Sequence, residues 1–169
     1  MNTLAPRQCQ PCTACCDGWV RINVFDVPVL PGKPCPHSLG GNKKNASAGG
    51  CNIYATRPTD PCVNFACGWV REGSGLPDWM QPHIAKVIVL PAWTTWRTFP
   101  VDLALPVGNR IPFKSLQWLQ ENSKKTFRPL ITTEQITDRN GHFTGKQNVV
   151  GFGPPTFQAE MAELIGTRL

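Results

Sequence analysis

The stretch Cys9-Gln10-Pro11-Cys12-Thr13-Ala14-Cys15-Cys16 decides how this chain is read. A two-residue spacer lets both flanking sulfurs point at one ion, so a CxxCxxCC run predicts bound metal. Cys35, Cys51, Cys62 and Cys67 complete a set of eight, and residues 68–169 contain no cysteine. Neighbouring Cys15 and Cys16 direct their side chains differently, so both rarely complete one tetrahedral site. Two metal centres sharing this hinge, or one cluster beside a second site, is the expectation. Eight sulfurs divide into two sets of four, the number that closes a structural zinc site or binds one iron–sulfur cluster.

Spacing alone does not choose the metal. Cys9-x-x-Cys12-x-x-Cys15 reproduces the first three ligands of the bacterial ferredoxin run, whose fourth cysteine follows after three residues and precedes proline. Here Cys16 follows at once, and the Cys-Pro pair is the remote Cys35-Pro36. Two-residue knuckles suit zinc equally well. A fully ligated Cys₄ zinc supplies folding energy and leaves no open position, whereas a site with fewer sulfurs plus water or His is open to catalysis.

Disulfides are the rival use of eight cysteines. Met1 to Gln8 has no apolar core of a secretion signal, and no run approaches the roughly 18 apolar residues of a membrane span. The expectation is a cytoplasmic, reducing location with free thiols and no membrane partner. At 169 residues the chain is long enough to bury a core without staples. The sequon Asn45-Ala46-Ser47 carries no meaning without export.

The formal charge of +6 hints at nucleic acid, but it counts the thiols as neutral. Eight thiolates add eight negative charges and two divalent ions return four, which lowers the sum to about +2. The remaining excess belongs to residues 81–169, with ten Lys/Arg against six Asp/Glu. Arg7, Arg21, Arg57 and Arg71 are the arginines that flank the cysteines, where a zinc ribbon gripping nucleic acid sets its basic residues. Nucleic-acid binding becomes a minority reading.

Three regions separate along the chain: a cysteine-cluster region 1–71, a Gly- and Pro-bearing connection 72–81, and a cysteine-free region 82–169, the whole read as α+β and open to being one continuous domain. Trp19 to Phe25 alternates apolar and polar residues like a half-buried strand, and Gly40 to Gly50 reads as an exposed, mobile loop. Beyond, Ile84 to Leu90 reads as a strand. Phe99 to Leu103 reads as a sheet edge, because Pro100 argues against a central strand. Pro112 opens a helix with an apolar face of Phe113, Leu116, Trp118 and Leu119, ending at Lys124 and Lys125. Phe127 to Thr133 and Gly145 to Phe152 are further strands. Thr156 reads as the N-cap of a last helix burying Phe157, Met161, Leu164 and Ile165.

The run CxxCxxCC, the later Cys51-Asn-Ile-Tyr54-x-x-Arg57-Pro58 and the closing Cys62-Val-Asn-Phe65-Ala-Cys67-Gly-Trp69 resemble the YkgJ-type cysteine-cluster proteins, bacterial proteins described as zinc- or iron-chelating domains. The resemblance covers about residues 9–71 and implies that Cys9, Cys12, Cys15, Cys16, Cys35, Cys51, Cys62 and Cys67 form the metal-binding set. Related clusters are associated with iron–sulfur centres in flagellin lysine methylases, which keeps iron beside zinc. This chain departs from the family's pattern around Thr59 to Cys62 and in having Val63 where Arg is frequent.

Other candidates have plain alternatives. His37, two residues after Cys35, is either a further ligand or an exposed neighbour. Tyr54 and Arg57 either orient a sulfur or a substrate carboxylate, or serve as core ring and structural ion pair. His83 and His142 read as surface residues far from the cysteines. Trp93 and Trp96 read as core, and Gly151 to Pro155 as a turn. The leading expectation is a metal-binding protein with a structural or chelating role. The alternatives are a metal- or cluster-dependent enzyme with its pocket between the halves, and a zinc-built module that meets a protein or nucleic acid. No catalytic constellation is legible.

Overall fold

The computed structural model describes residues 6–40 and 50–166. The Gly40–Gly50 loop expectation therefore falls almost wholly outside the described residues, as does the sequon.

The β-branched run Val87-Ile88-Val89 opens β3 (Val87–Trp96), and alternation along it sorts the core. Val87 and Val89 face one side of the sheet with Ala104, Leu119 and Leu130, while Ile88 and Leu90 face the other. Ahead of β3 a one-turn helix, α1 (Pro82–Ala85), ends at Lys86 with φ +55°. Ile84 belongs to α1 rather than to the expected strand, because Pro82 favours the first helical position.

Strands β4 (Phe99–Pro106), β5 (Leu130–Thr137) and β6 (Phe143–Phe152) complete a sheet of order β3-β4-β5-β6. The β4/β5 pair is parallel and the others are antiparallel. A parallel pair needs a crossover, which α2 (Phe113–Thr126) provides. The expectation of an edge strand at Pro100 is corrected: β4 is central. Pro100 is tolerated because it pairs only with Thr95, and β5 joins the ladder from Asp102 onward.

On one face α2 packs with Leu76 and Met80 from the segment before α1. Phe113, expected on the apolar face of α2, is 80% exposed. It is the first residue of the helix, and the buried stripe is carried by Ser115, Leu119 and Ser123, with Leu116 and Trp118 partly buried. On the other face α3 (Pro155–Gly166) lays Phe157 on Val101, Leu103 and Ile131. Pro155 takes the first helical position, so Thr156 stands inside the helix and not at its cap. Met161 packs against this cluster, while the side chains of Leu164 and Ile165 lie outside the described residues.

The cysteine-bearing region covers the remaining part of that face. Ala14 and Val20 pack on Ile88, and burial of Ile88 contributes about 1.5–3 kcal/mol. A small hairpin, β1 (Ile22–Val24) with β2 (Val27–Val29), replaces the longer strand expected from Trp19. Trp19 instead closes a helical turn, Cys15–Trp19, whose Gly18 has φ +98° and would place a Cβ 2.1 Å from the Leu30 carbonyl oxygen. Only glycine fits there. Trp19 also meets Phe143 edge-on, and Arg21 donates to the Gly145 carbonyl, tying this region to β6.

Candidate metal centre

Four segments bring the cysteines together. The first carries Cys9 to Cys16. Thr13 N–H donates to Nε2 of His83 at 2.8 Å, and Thr13 Oγ1 donates to Asp17. Asp17 Oδ1 accepts from Ser38, so one carboxylate joins the loops bearing Cys16 and Cys35. The second is tied on by Cys35 N–H, which donates to the Cys16 carbonyl at 2.7 Å. The third is held by a bridge between Ser38 and Cys51 and by Asn52 N–H donating to the His37 carbonyl. The last carries Cys62 and Cys67 and is laid along β3 by Gly68 N–H donating to the Val89 carbonyl at 2.6 Å. A Cβ at Gly68 would stand 2.7 Å from the Pro91 ring, so the close approach requires glycine.

Seven cysteines, all but Cys35, line one cavity of about 400 Å³ whose wall also includes Tyr54, Arg57, Pro82 and Ile88. Cys35 is buried beside it, packed with Cys16 and Cys62. All eight are free thiols. Packing sets Cys12, Cys15 and Cys67 against one apolar cluster and Cys16, Cys35 and Cys62 in another, and the two meet at Cys15 and Cys16, whose Sγ atoms lie 3.9 Å apart. Cys12 feels Cys9 and Cys67, and Cys15 bonds to Cys9. Cys16 and Cys51 act on both Cys35 and Cys62, and Cys9 acts on Cys16 as well. Among the described residues no set of three or more His, Cys, Asp or Glu side chains is drawn together so as to hold a metal ion. Metal binding therefore requires the sulfurs to close in.

The electrostatics separate donors from acceptors. The Cys15 thiol is held far above its ordinary pKa, first by its bonds to Cys16 and Cys9 and then by burial. The same bond lowers Cys9 to about 7, with Arg57 assisting, and lowers Cys16. Burial pushes Cys12 up to about 12 and raises Cys35, Cys62 and Cys67. Backbone N–H groups oppose it: those of Ala14 and His83 at Cys12, His37 and Ser38 at Cys35, and Val70 and Trp69 at Cys67. The thiolate forms are thus partly solvated by peptide dipoles, with Arg57 a countercharge to Cys9 and Cys62.

The remaining candidates take definite positions. His83 is corrected from a remote surface residue to a direct partner of the cysteine loop. The His37 and Phe25 rings meet in a T-shaped contact, and His142 lies exposed beside Asp138. The Arg57 guanidinium stacks 3.8 Å from the Tyr54 ring centroid and donates to the Tyr54 carbonyl, so both belong to the cavity wall. Trp93 is 57% exposed, against the core expectation, whereas Trp96 packs on Phe99 and Phe157. In the basic second half, Lys114 and Lys124 lie over the Trp79 and Phe152 rings and Arg128 pairs with Asp102. The Thr13–Asp17–Ser38 network carries no motif; only the four-residue spacing of Thr13 and Asp17 signals it. No helix among the described residues is long and apolar enough to cross a membrane.

In comparisons with protein-family models, curated proteins and solved structures, nothing matches this chain. The YkgJ-type resemblance rests on its three motifs alone.

Proposed function

We propose that this chain is a metal-binding protein whose eight cysteines hold zinc or an iron–sulfur centre in two sets of four. The sets are Cys9, Cys12, Cys15 and Cys67, and Cys16, Cys35, Cys51 and Cys62. The observation that carries the reading is convergence: seven sulfurs from separate segments line one cavity and the eighth packs behind it. The donor set fits a thiophilic cation, because burial that keeps these sulfurs protonated reverses once a positive charge lies among them. N–H groups directed at Cys12, Cys35 and Cys67 supply the outer support that such thiolates use. Bound zinc would staple the cysteine-rich region to the sheet; an iron–sulfur cluster would add electron transfer.

The test is protein purified without oxygen. Absorption near about 400 nm with iron and sulfide identifies a cluster, and a colourless protein with about two zinc ions per chain identifies zinc. Cys12→Ser and Cys35→Ser should each remove about half the metal, as separate Cys₄ sites require. Metal-free native protein, or unchanged metal in both variants, overturns the reading.

One observation favours a second reading, a metal- or cluster-dependent enzyme. Pro82 and Ile88 of the second half share the cavity wall with Tyr54 and Arg57, so the sulfurs adjoin a space larger than a single ion needs. An open coordination position, detected as cyanide or thiol binding to the loaded protein, is its signature.

A further inference from the structure

The cavity that gathers the cysteines has two cations in its wall, Arg7 and Arg57. Arg7 is already committed: it pairs with the Asp78 carboxylate at 2.7 Å and donates to the Trp69 carbonyl. Among the described residues no carboxylate pairs with Arg57. Its guanidinium is nevertheless held in place. It lies 3.8 Å from the Tyr54 ring centroid and donates from Nη1 to the Tyr54 carbonyl at 2.5 Å. A ring face and a neutral carbonyl fix the group without cancelling its charge. That charge acts on sulfurs of both proposed sets: it favours the thiolate at Cys9 and opposes the burial that raises Cys62.

We infer, on the metal reading above, that Arg57 is the countercharge shared by both cysteine sets, the group that lets two anionic metal centres stand side by side. Four thiolates around a divalent ion leave a net charge of about −2. The two sets meet at Cys15 and Cys16, whose Sγ atoms are 3.9 Å apart, so two such centres repel each other at short range. One fixed cation facing both offsets part of that repulsion and part of the cost of burying each set of thiolates. The same charges argue against a ligand carboxylate at Arg57, because an anion would enter beside two anionic centres.

The experiment is a competition for zinc between the full chain and a chromophoric chelator, read for each set separately. Cys35→Ser leaves Cys9, Cys12, Cys15 and Cys67 intact, and Cys12→Ser leaves the other four. Arg57→Gln added to each background should weaken the remaining site by about 10–100-fold, the usual loss when a group supporting the ligands is removed. Arg57→Lys keeps the charge and should restore most of that affinity. The loss with glutamine should also shrink between about 0.1 M and about 1 M salt, since screening weakens a charge effect and not a packing one. Weakening in only one background overturns the sharing, and unchanged affinity in both overturns the inference altogether. Equal loss from lysine and glutamine overturns it as well and assigns Arg57 to packing on Tyr54. If Arg57→Gln does not fold, Arg57→Lys in the otherwise wild-type chain decides: it must hold both ions. Each of these results leaves the metal reading standing, whereas wild-type protein that takes up no zinc overturns both.

Discussion

Thr13 N–H donates to Nε2 of His83 at 2.8 Å across 70 positions of sequence, and this bond joins the cysteine loop to the start of the cysteine-free half. Thr13 is 1% exposed, so water does not replace the lost acceptor if His83 is removed. His83→Ala should destabilise the protein by about 1–3 kcal/mol, the cost of a buried donor left unmade. Urea unfolding measures it; an unchanged midpoint would mean the bond contributes nothing.

Gly68 bears on how Cys67 reaches the cavity. Gly68→Ala drives a Cβ to within 2.7 Å of Pro91 Cδ and 2.9 Å of the Val89 oxygen. The expected cost is about 1–3 kcal/mol of overpacking, with loss of hydrogen-exchange protection at residue 68. Wild-type protection in the variant would show that the segment does not depend on this contact.

Thiol reactivity tests the sulfur network directly. In metal-free protein Cys9, lowered to about 7 by the bond from Cys15, should alkylate first at neutral pH, and Cys12, raised to about 12 by burial, among the last. Peptide mapping of partially alkylated protein reads the order. Uniform labelling of all eight would contradict the network.

Glu160 latches α3 to the β3–β4 hairpin by accepting from Trp96 Nε1 and from Arg97. These bonds, that of Trp96 foremost, hold its carboxyl below the ordinary 4.5. A depressed acid stabilises the fold above its unfolded pKa and loses that contribution as pH falls through the folded value. Wild type should therefore melt above Glu160→Gln at neutral pH, with the gap narrowing below about pH 4.5. A gap independent of pH would refute the latch.

The sequence by itself determined the α+β elements and which residues are candidate ligands. Two-residue cysteine spacing, Pro112 at a helix start and the apolar run Val87 to Leu90 are local signals, encoded within a turn or a strand. Tertiary structure decided what depends on distant chain. Pro100 lies in a central strand because β5 arrives only at Asp102, and His83 becomes a cysteine-loop partner because α1 stands against Thr13. The grouping of Cys67 with Cys9 and Cys12, and of Cys62 with Cys16 and Cys35, follows from Gly68 docking on β3 and from loops tied through Asp17. A cavity lined by Leu76, Asp102 and Leu119 likewise arises where α2, β4 and the Gly73–Leu76 turn meet. Burial and charge pairing are properties of the packed chain, and no local spacing encodes them.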